Sequence, residues 1–170
     1  MEFIKSGDTI ILDCGTTIFE LSKKIAQQST IEDLMIATND LRAAIELADQ
    51  PNVSLIVIGG SVRKKNYSLV GFFGENVLKQ IHADVSFLSV DAIDLEHGFA
   101  SFCTEEMGIK RTMLHAAREV VVLADHTKFD TIAFVKISNL TDVDCIITGS
   151  ELEDHIVKKI RAMGIKLILV

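Results

Sequence analysis

Residues of the kinds that bind anions and hydroxyl groups fall, in this chain of 170 residues, directly after short apolar runs. Asp13-Cys14-Gly15-Thr16-Thr17 follows Thr9-Ile10-Ile11-Leu12, and apolar residues then recur at helical spacing from Ile18 to Ile25. A helix that starts in such a loop presents backbone N–H groups without intrahelical acceptors, and with two hydroxyls beside them these attract an anion. Thr17 and Glu20 have the spacing of a capping box, which would start the helix at the loop. Thr38 and Asn39 end the run at 34–38, and Gly59, Gly60 and Arg63 follow the run at 53–58. Asp91 and Asp94 follow 85–90, and Asp125 and Lys128 follow 120–124. Arg63, Lys64 and Lys65 either neutralise a small anion or are simply solvated. Asp91 and Asp94 either order the hydroxyls of a polyol or close a turn and cap a helix. Glu106 and Lys110, four residues apart, either form a surface ion pair worth about 0.3–0.5 kcal/mol or both face a site.

Other chemistries lack their residues. The five histidines are not spaced as metal ligands, and neither Cys-x-x-Cys nor His-Glu-x-x-His occurs, so no metal is expected. There is no Walker loop and no Gly-x-Gly-x-x-Gly, and no cofactor is expected. Cys14 has no histidine at a recognisable distance, which favours packing over nucleophilic chemistry. The formal net charge of −7, without a basic stripe, argues against nucleic-acid binding by the chain itself. Cys14, Cys103 and Cys145, far apart and odd in number, fit reduced thiols in the cytoplasm. Residues 1–7 carry Glu2 and Lys5, so no signal peptide is expected, and no run of about 18 apolar residues offers a membrane span.

These residues need elements to hold them. Hydrophobic residues make up 48% of the chain and aromatics only 6%, with no tryptophan, so the core must be built from Ile, Leu, Val and Ala, as in a parallel sheet covered on both faces. About seven strand-like runs, most followed by helices, predict one α/β domain over residues 1–170: a Rossmann-like, mostly parallel sheet with helices on both faces. The helix capped by Asn39 or Asp40 would bury Leu41, Ala44, Ile45 and Ala48, and one over 71–81 would bury Phe72, Phe73, Val77 and Leu78. Ser150 with Glu153 would cap the last helix, which Gly164 ends. Residues 61–68 and 95–104 read as loops. Ligands of open α/β sheets bind outside the carboxyl ends of the strands, so the five polar groups should converge on one site.

In this order, residues 7–17, Thr38-Asn39, Gly59-Gly60-Ser61-Val62-Arg63, Ser68-Leu69-Val70-Gly71, Glu105-Glu106 with Lys110-Arg111, and residues 124–129 resemble the effector-binding domain of DeoR-type transcriptional regulators. The resemblance covers nearly the whole chain. It implies a domain that binds a phosphorylated sugar or related metabolite and controls a winged helix-turn-helix ahead of Met1 in a full-length regulator, DNA being bound only through that absent part. A homo-oligomer, dimer or tetramer, is expected, with no membrane partner. The implied ligand-binding residues are Asp13, Gly15, Thr16, Thr17, Thr38, Asn39, Gly59, Gly60, Arg63, Asp91, Glu106, Lys110, Asp125 and Lys128.

The family is similar in fold to the ribose-5-phosphate isomerase/CoA-transferase type, which supplies the alternative reading, an aldose-ketose isomerase. Asp91-Ala92-Ile93-Asp94 resembles the isomerase's Asp-Glu-Ile-Asp, Thr104-Glu105-Glu106-Met107 its Thr-Arg-Glu-Lys, and Asp125-His126-Thr127-Lys128 its Asp-x-x-Lys. Glu106 would then be the base. The isomerase's lysine before that glutamate is replaced in His97-Gly98-Phe99-Ala100, and losing a positioned cation at an enediolate costs about 3 kcal/mol of transition-state stabilisation. Sensing without conversion is therefore expected, with no catalytic residue.

Overall fold

The computed structural model describes residues 2–170. In chain order the elements are β1 (Thr9–Leu12), α1 (Thr16–Ala26), β2 (Leu34–Thr38), α2 (Leu41–Leu47), β3 (Val53–Val57), β4 (Ser61–Arg63), β5 (Ser68–Val70), α3 (Phe72–Leu78), β6 (Ala83–Ser89), β7 (Ala92–Asp94), β8 (Gly98–Ser101), α4 (Met107–His115), β9 (Ala117–Leu123), β10 (Val135–Ser138), β11 (Cys145–Thr148), α5 (Asp154–Ala162) and β12 (Lys166–Leu169). The main sheet has seven strands in the order β12-β11-β9-β6-β1-β2-β3, and every neighbouring pair is parallel.

Side chains alternate across a strand, and β1 uses both sides. Ile10 and Leu12 pack with Ile18 and Ile25 of α1 and Leu47 of α2. Ile11 faces the opposite layer, where Leu78 of α3, Ile109 and Met113 of α4, and Ile156 and Ile160 of α5 lie. Helices therefore cover both faces, which is why the strands read as nearly continuous apolar runs. The chain moves outward from β1 through β2 to β3, then returns to place β6 on the other side of β1. The switch point between β1 and β6 opens a crevice at the strand carboxyl ends.

Several local expectations are corrected. Residues 61–68 are a hairpin: β4 and β5 pair antiparallel, Ser61 opposite Val70 and Arg63 opposite Ser68. Within 95–104, β8 pairs antiparallel with both β7 and β10, forming a small second sheet. Phe72 and Phe73 are 71% and 74% exposed, and Val77 is also exposed; only Leu78 of that set is buried. Gly74 explains this, because a Cβ there would lie 2.7 Å from Ile109 Cδ1. The glycine side of α3 is thus the one pressed onto α4, turning the phenylalanines outward. In α2 the buried residues are Ala43, Ala44 and Leu47, whereas Ile45 and Ala48 are exposed. Neither capping box forms: the residue capping α1 is Gly15 and that capping α5 is Glu153, both without a side-chain hydrogen bond. Asp40 does cap α2, accepting from the Arg42 N–H.

Candidate ligand-binding site

The crevice is a cavity of about 280 Å³. Cys14 to Thr17 line it after β1, Ser89 to Asp91 after β6, and Leu123 to Asp125 with Lys128 after β9. Glu106 and Lys110 rise into it from the start of α4, Arg42 from α2, and Lys65 and Asn66 from the turn between β4 and β5. Of the residues singled out from sequence, Gly15, Thr16, Thr17, Asp91, Glu106, Lys110, Asp125 and Lys128 border the cavity.

The others stand behind it or beside it. Asp13 is fully buried, and its Oδ2 accepts from Lys110 Nζ and from the Ser89 N–H. Thr38 Oγ1 accepts from the Asp40 N–H at 3.1 Å, and Asn39 Nδ2 donates to the Leu69 carbonyl at 3.2 Å, tying β2 to the hairpin. Gly60, at φ 154, lets the hairpin close, since a Cβ would lie 3.0 Å from the Val70 carbonyl carbon. Gly59 leads into that turn, and a Cβ there would meet nothing. Arg63 does not border the cavity; its Nη1 donates to Glu106 Oε1 at 2.7 Å, and its Nε lies 3.8 Å from Glu105.

Glu106 and Lys110 are 4% and 3% exposed, so both face the site rather than solvent. Glu106 Oε1 accepts from Arg63, from Ser68 Oγ at 3.1 Å and from Cys14 Sγ at 3.6 Å. Its Oε2 lies 3.9 Å from Lys110 Nζ, which also donates to the Ser89 carbonyl at 2.8 Å. Burial works against the Lys110 ammonium, but the carboxylates of Asp13 and Glu106 around it outweigh burial and hold its pKa above the ordinary lysine value. Burial pushes the Asp13 carboxyl up, opposed by Lys110. The direction that governs the pair is that of Lys110, because Asp13 and Glu106 both favour the ammonium. Burial and the Asp13 charge also push the Cys14 thiol far up, so it stays protonated, in keeping with a packing role.

Asp91 Oδ2 accepts from Ser101 Oγ at 2.6 Å and from the Phe102 N–H at 3.1 Å. Asp94 takes the turn role instead: Oδ1 accepts from the N–H groups of Glu96 and His97 and contacts His97 Nδ1 at 2.8 Å. Neither Asp94 nor His97 borders the cavity. Thr127, through its hydroxyl and N–H, holds the Asp125 carboxyl below the ordinary range, with a smaller contribution from Lys128.

Sequence reasoning missed Asp40 and Arg42. Asp40 is fully buried and accepts from Arg42 Nε at 3.1 Å, Arg42 Nη2 at 2.7 Å and the Gly15 N–H at 3.5 Å, joining the starts of α1 and α2. An Asp two residues before an Arg at a helix start was the available signal. The Arg42 guanidinium also lies over the rings of Phe19 and Tyr67, at 5.2 and 5.8 Å.

Three site cations are thus spent on the protein's own carboxylates: Arg42 on Asp40, Arg63 on Glu106, and Lys110 on Asp13. Lys65 and Lys128 form no ion pair among the described residues. Among those residues there is also no cluster of three or more His, Cys, Asp or Glu side chains suited to a metal, and no helix long and apolar enough to cross a membrane.

Comparison with known proteins agrees with this architecture. The family model for the DeoR C-terminal sensor domain matches residues 1–150. The HTH-type transcriptional regulator GolR of Listeria innocua is 34% identical over 162 residues, covering 95% of this chain and 63% of that protein. The glycerol-3-phosphate regulon repressor of Haemophilus influenzae is 29% identical over 168 residues, covering 99% of this chain and 64% of that protein. The chain therefore spans less than two thirds of the length of these relatives. Ribose 5-phosphate isomerase from Plasmodium falciparum superposes with a TM-score of 0.52 at 13% identity, over 76% of this chain and 48% of that chain, a likeness of fold.

Proposed function

The chain belongs to the DeoR C-terminal sensor domain family, and on that premise we propose that it is the effector-binding domain, over residues 1–170, of a repressor of carbohydrate metabolism whose ligand is a phosphorylated sugar or related phosphorylated polyol. The observation that carries this reading is the meeting of the α1 amino terminus, with its two threonine hydroxyls, and the unpaired Lys128 in one cavity. A phosphate there accepts from the first-turn N–H groups and hydroxyls and gains the ammonium charge. Asp91 and Glu106 accept from the sugar hydroxyls. The name of the relative from H. influenzae, which refers to glycerol-3-phosphate, supports a phosphorylated polyol. No conversion of the sugar belongs to this reading, since these relatives are named as regulators.

DNA binding falls to a part of the regulator outside this acidic domain, and the protein acts in the cytoplasm as a homo-oligomer. Ligand bound between strand ends, hairpin and α4 favours one arrangement of these elements, and that population shift is passed to the paired DNA-binding parts. A thermal-shift screen of phosphorylated sugars beside the same sugars unphosphorylated tests the reading. A true effector at a hundred times its Kd adds about 2.7 kcal/mol of stability, and Lys128→Ala weakens it. Stabilisation by unphosphorylated sugars alone would overturn the phosphate assignment.

A further inference from the structure

The main sheet ends on one side at β12 and on the other at β3. An unpaired strand edge is a template for another strand, and charged residues, prolines or bulges usually guard it. β12 carries Lys166, whereas β3 reads Val53-Ser54-Leu55-Ile56-Val57, with no charge and no proline. Its register on β2 runs unbroken from Leu34 opposite Val53 to Thr38 opposite Val57. The Asn52 carbonyl accepts from the Leu34 N–H at 3.0 Å, and the Ile58 N–H donates to the Thr38 carbonyl at 2.8 Å. Backbone groups alternate sides along a strand, so those of Ser54 and Ile56 also face β2, while those of Leu55 and Val57 and the Val53 carbonyl face outward. These outward groups have no backbone partner among the described residues.

The sheet face beside that edge is bare as well. Ala37 and Ile58 pack with Leu78 of α3, but α3 is only seven residues long, and Met35 and Ile56, on the same face, are 43% and 38% exposed. Successive residues of a helix are turned by about 100°. Glu75, one step past Gly74, has its carboxyl against Gly108 of α4, and α4 stands on β6 and β9, across β1 from β3. Phe73, one step before Gly74, and Val77, one turn on, therefore form the flank of α3 that points away from α4, toward the β3 edge. By their fractional exposures Phe73, Val77, Met35, Ile56 and Val57 offer roughly 400 Å² of apolar surface. That is close to the non-polar part of the area of about 800 Å² that each partner of a standard interface buries.

We propose that β3 is a dimerisation edge, pairing antiparallel with β3 of a second copy of this chain across a two-fold axis at Leu55. A second copy fits because the edge is complementary to itself. With the axis there, the outward N–H and C=O of Leu55 bond those of Leu55 in the other copy, the Val57 N–H donates to the other Val53 carbonyl, and Ser54 stands opposite Ile56. An uncharged strand brings no like charges together. α3 sits at the carboxyl end of β3, where a Cβ on Gly74 would lie 2.7 Å from the Gly59 carbonyl oxygen. Antiparallel pairing thus carries the Phe73 and Val77 flank of each copy toward Ser54 of the other and toward Met35, which pairs with that serine. The two main sheets become one continuous sheet. This gives the homo-oligomer a surface and stands apart from the sugar-phosphate reading.

Sedimentation equilibrium of the chain without ligand tests it. At tens of micromolar the wild type should have twice the mass of one chain. Val57→Pro removes an N–H that faces outward, and so no hydrogen bond within one copy, while its ring blocks the approach of a second strand. It should raise the dimer Kd by about tenfold or more, with the circular dichroism spectrum unchanged. Phe134→Ser, which changes an exposed residue just ahead of β10, should leave the Kd where it was. The double variant Ser54→Cys with Ile56→Cys should form interchain disulfides on oxidation, because facing residues of a non-hydrogen-bonded antiparallel pair have Cα atoms about 4.5 Å apart. The chain's own three cysteines are buried and do not compete. A monomeric wild type, a dimer that Val57→Pro leaves intact or that Phe134→Ser weakens as much, or a double variant that does not cross-link overturns the pairing of β3. Should Val57→Pro fail to fold, the cross-link alone decides.

Discussion

Arg63 Nη1 donates to Glu106 Oε1 at 2.7 Å, and this contact fastens the hairpin of β4 and β5 to the start of α4. The Glu106 side chain is 6% exposed and that of Arg63 28%, so removing either partner has unequal effects. Arg63→Ala leaves a buried charge short of its main donor and should cost about 2 kcal/mol. Glu106→Gln keeps a carbonyl to accept from Arg63 and Ser68 and should cost less. Urea unfolding of both variants measures the difference, and a larger loss in Glu106→Gln would contradict this account.

Lys110 lies between Asp13 and Glu106 in the interior. Lys110→Met strands those carboxylates and should destabilise by about 3–5 kcal/mol. Because the folded protein holds the ammonium above its ordinary value of 10.5, the contribution of Lys110 is fully present below 10.5 and lost as pH rises through the higher folded value. The gap between wild type and variant should stay level from pH 7 to 9 and narrow only above 10.5. A gap that already narrows between pH 7 and 9 would count against a charged Lys110.

Gly15, at φ 156, presents its backbone to Ser89, and a Cβ would lie 2.7 Å from Ser89 Cβ. Gly15→Ala should therefore cost about 1–3 kcal/mol through overpacking. Adding Ser89→Gly should recover part of the loss and none of the part due to φ. A neutral Gly15→Ala, read by thermal unfolding, would show that the two loops do not meet as described.

Asp94 is held below the ordinary carboxylate range, chiefly by the His97 N–H and next by the His97 side chain. A depressed carboxyl contributes stability above its unfolded value of about 3.9, and that stability is lost as pH falls through the lower folded value. Asp94→Asn should lower the melting temperature at pH 7, and the gap to wild type should shrink once the pH falls below about 3.9. A gap of constant size from pH 7 down to pH 2 would remove Asp94 from the acid response.

The strands of the main sheet, their alternation with helices and the polar groups at their ends were legible in the sequence, because each is carried by neighbouring residues. The second sheet was not: β7 and β10 are three- and four-residue strands, too short to show a period, and β10 meets β8 from far along the chain. The inward face of α3 was misjudged because Phe72, Phe73 and Val77 form an apolar stripe in isolation. Which stripe is buried depends on Gly74 meeting Ile109.

For the site, the rule that ligands bind at strand ends turned five separate polar loops into a candidate set, and eight of its fourteen residues border the cavity. By itself the sequence determined the fold class and the acidic charge balance, since composition, spacing and periodicity are local quantities. Tertiary structure alone decided which charges are spent within the protein and which stay available, because the pairs that decide it span the chain: Arg63 and Glu106 are 43 residues apart, and Lys110 and Asp13 are 97 apart. Closing loops of that length is driven by burial of the two apolar layers, and no window of sequence contains both partners.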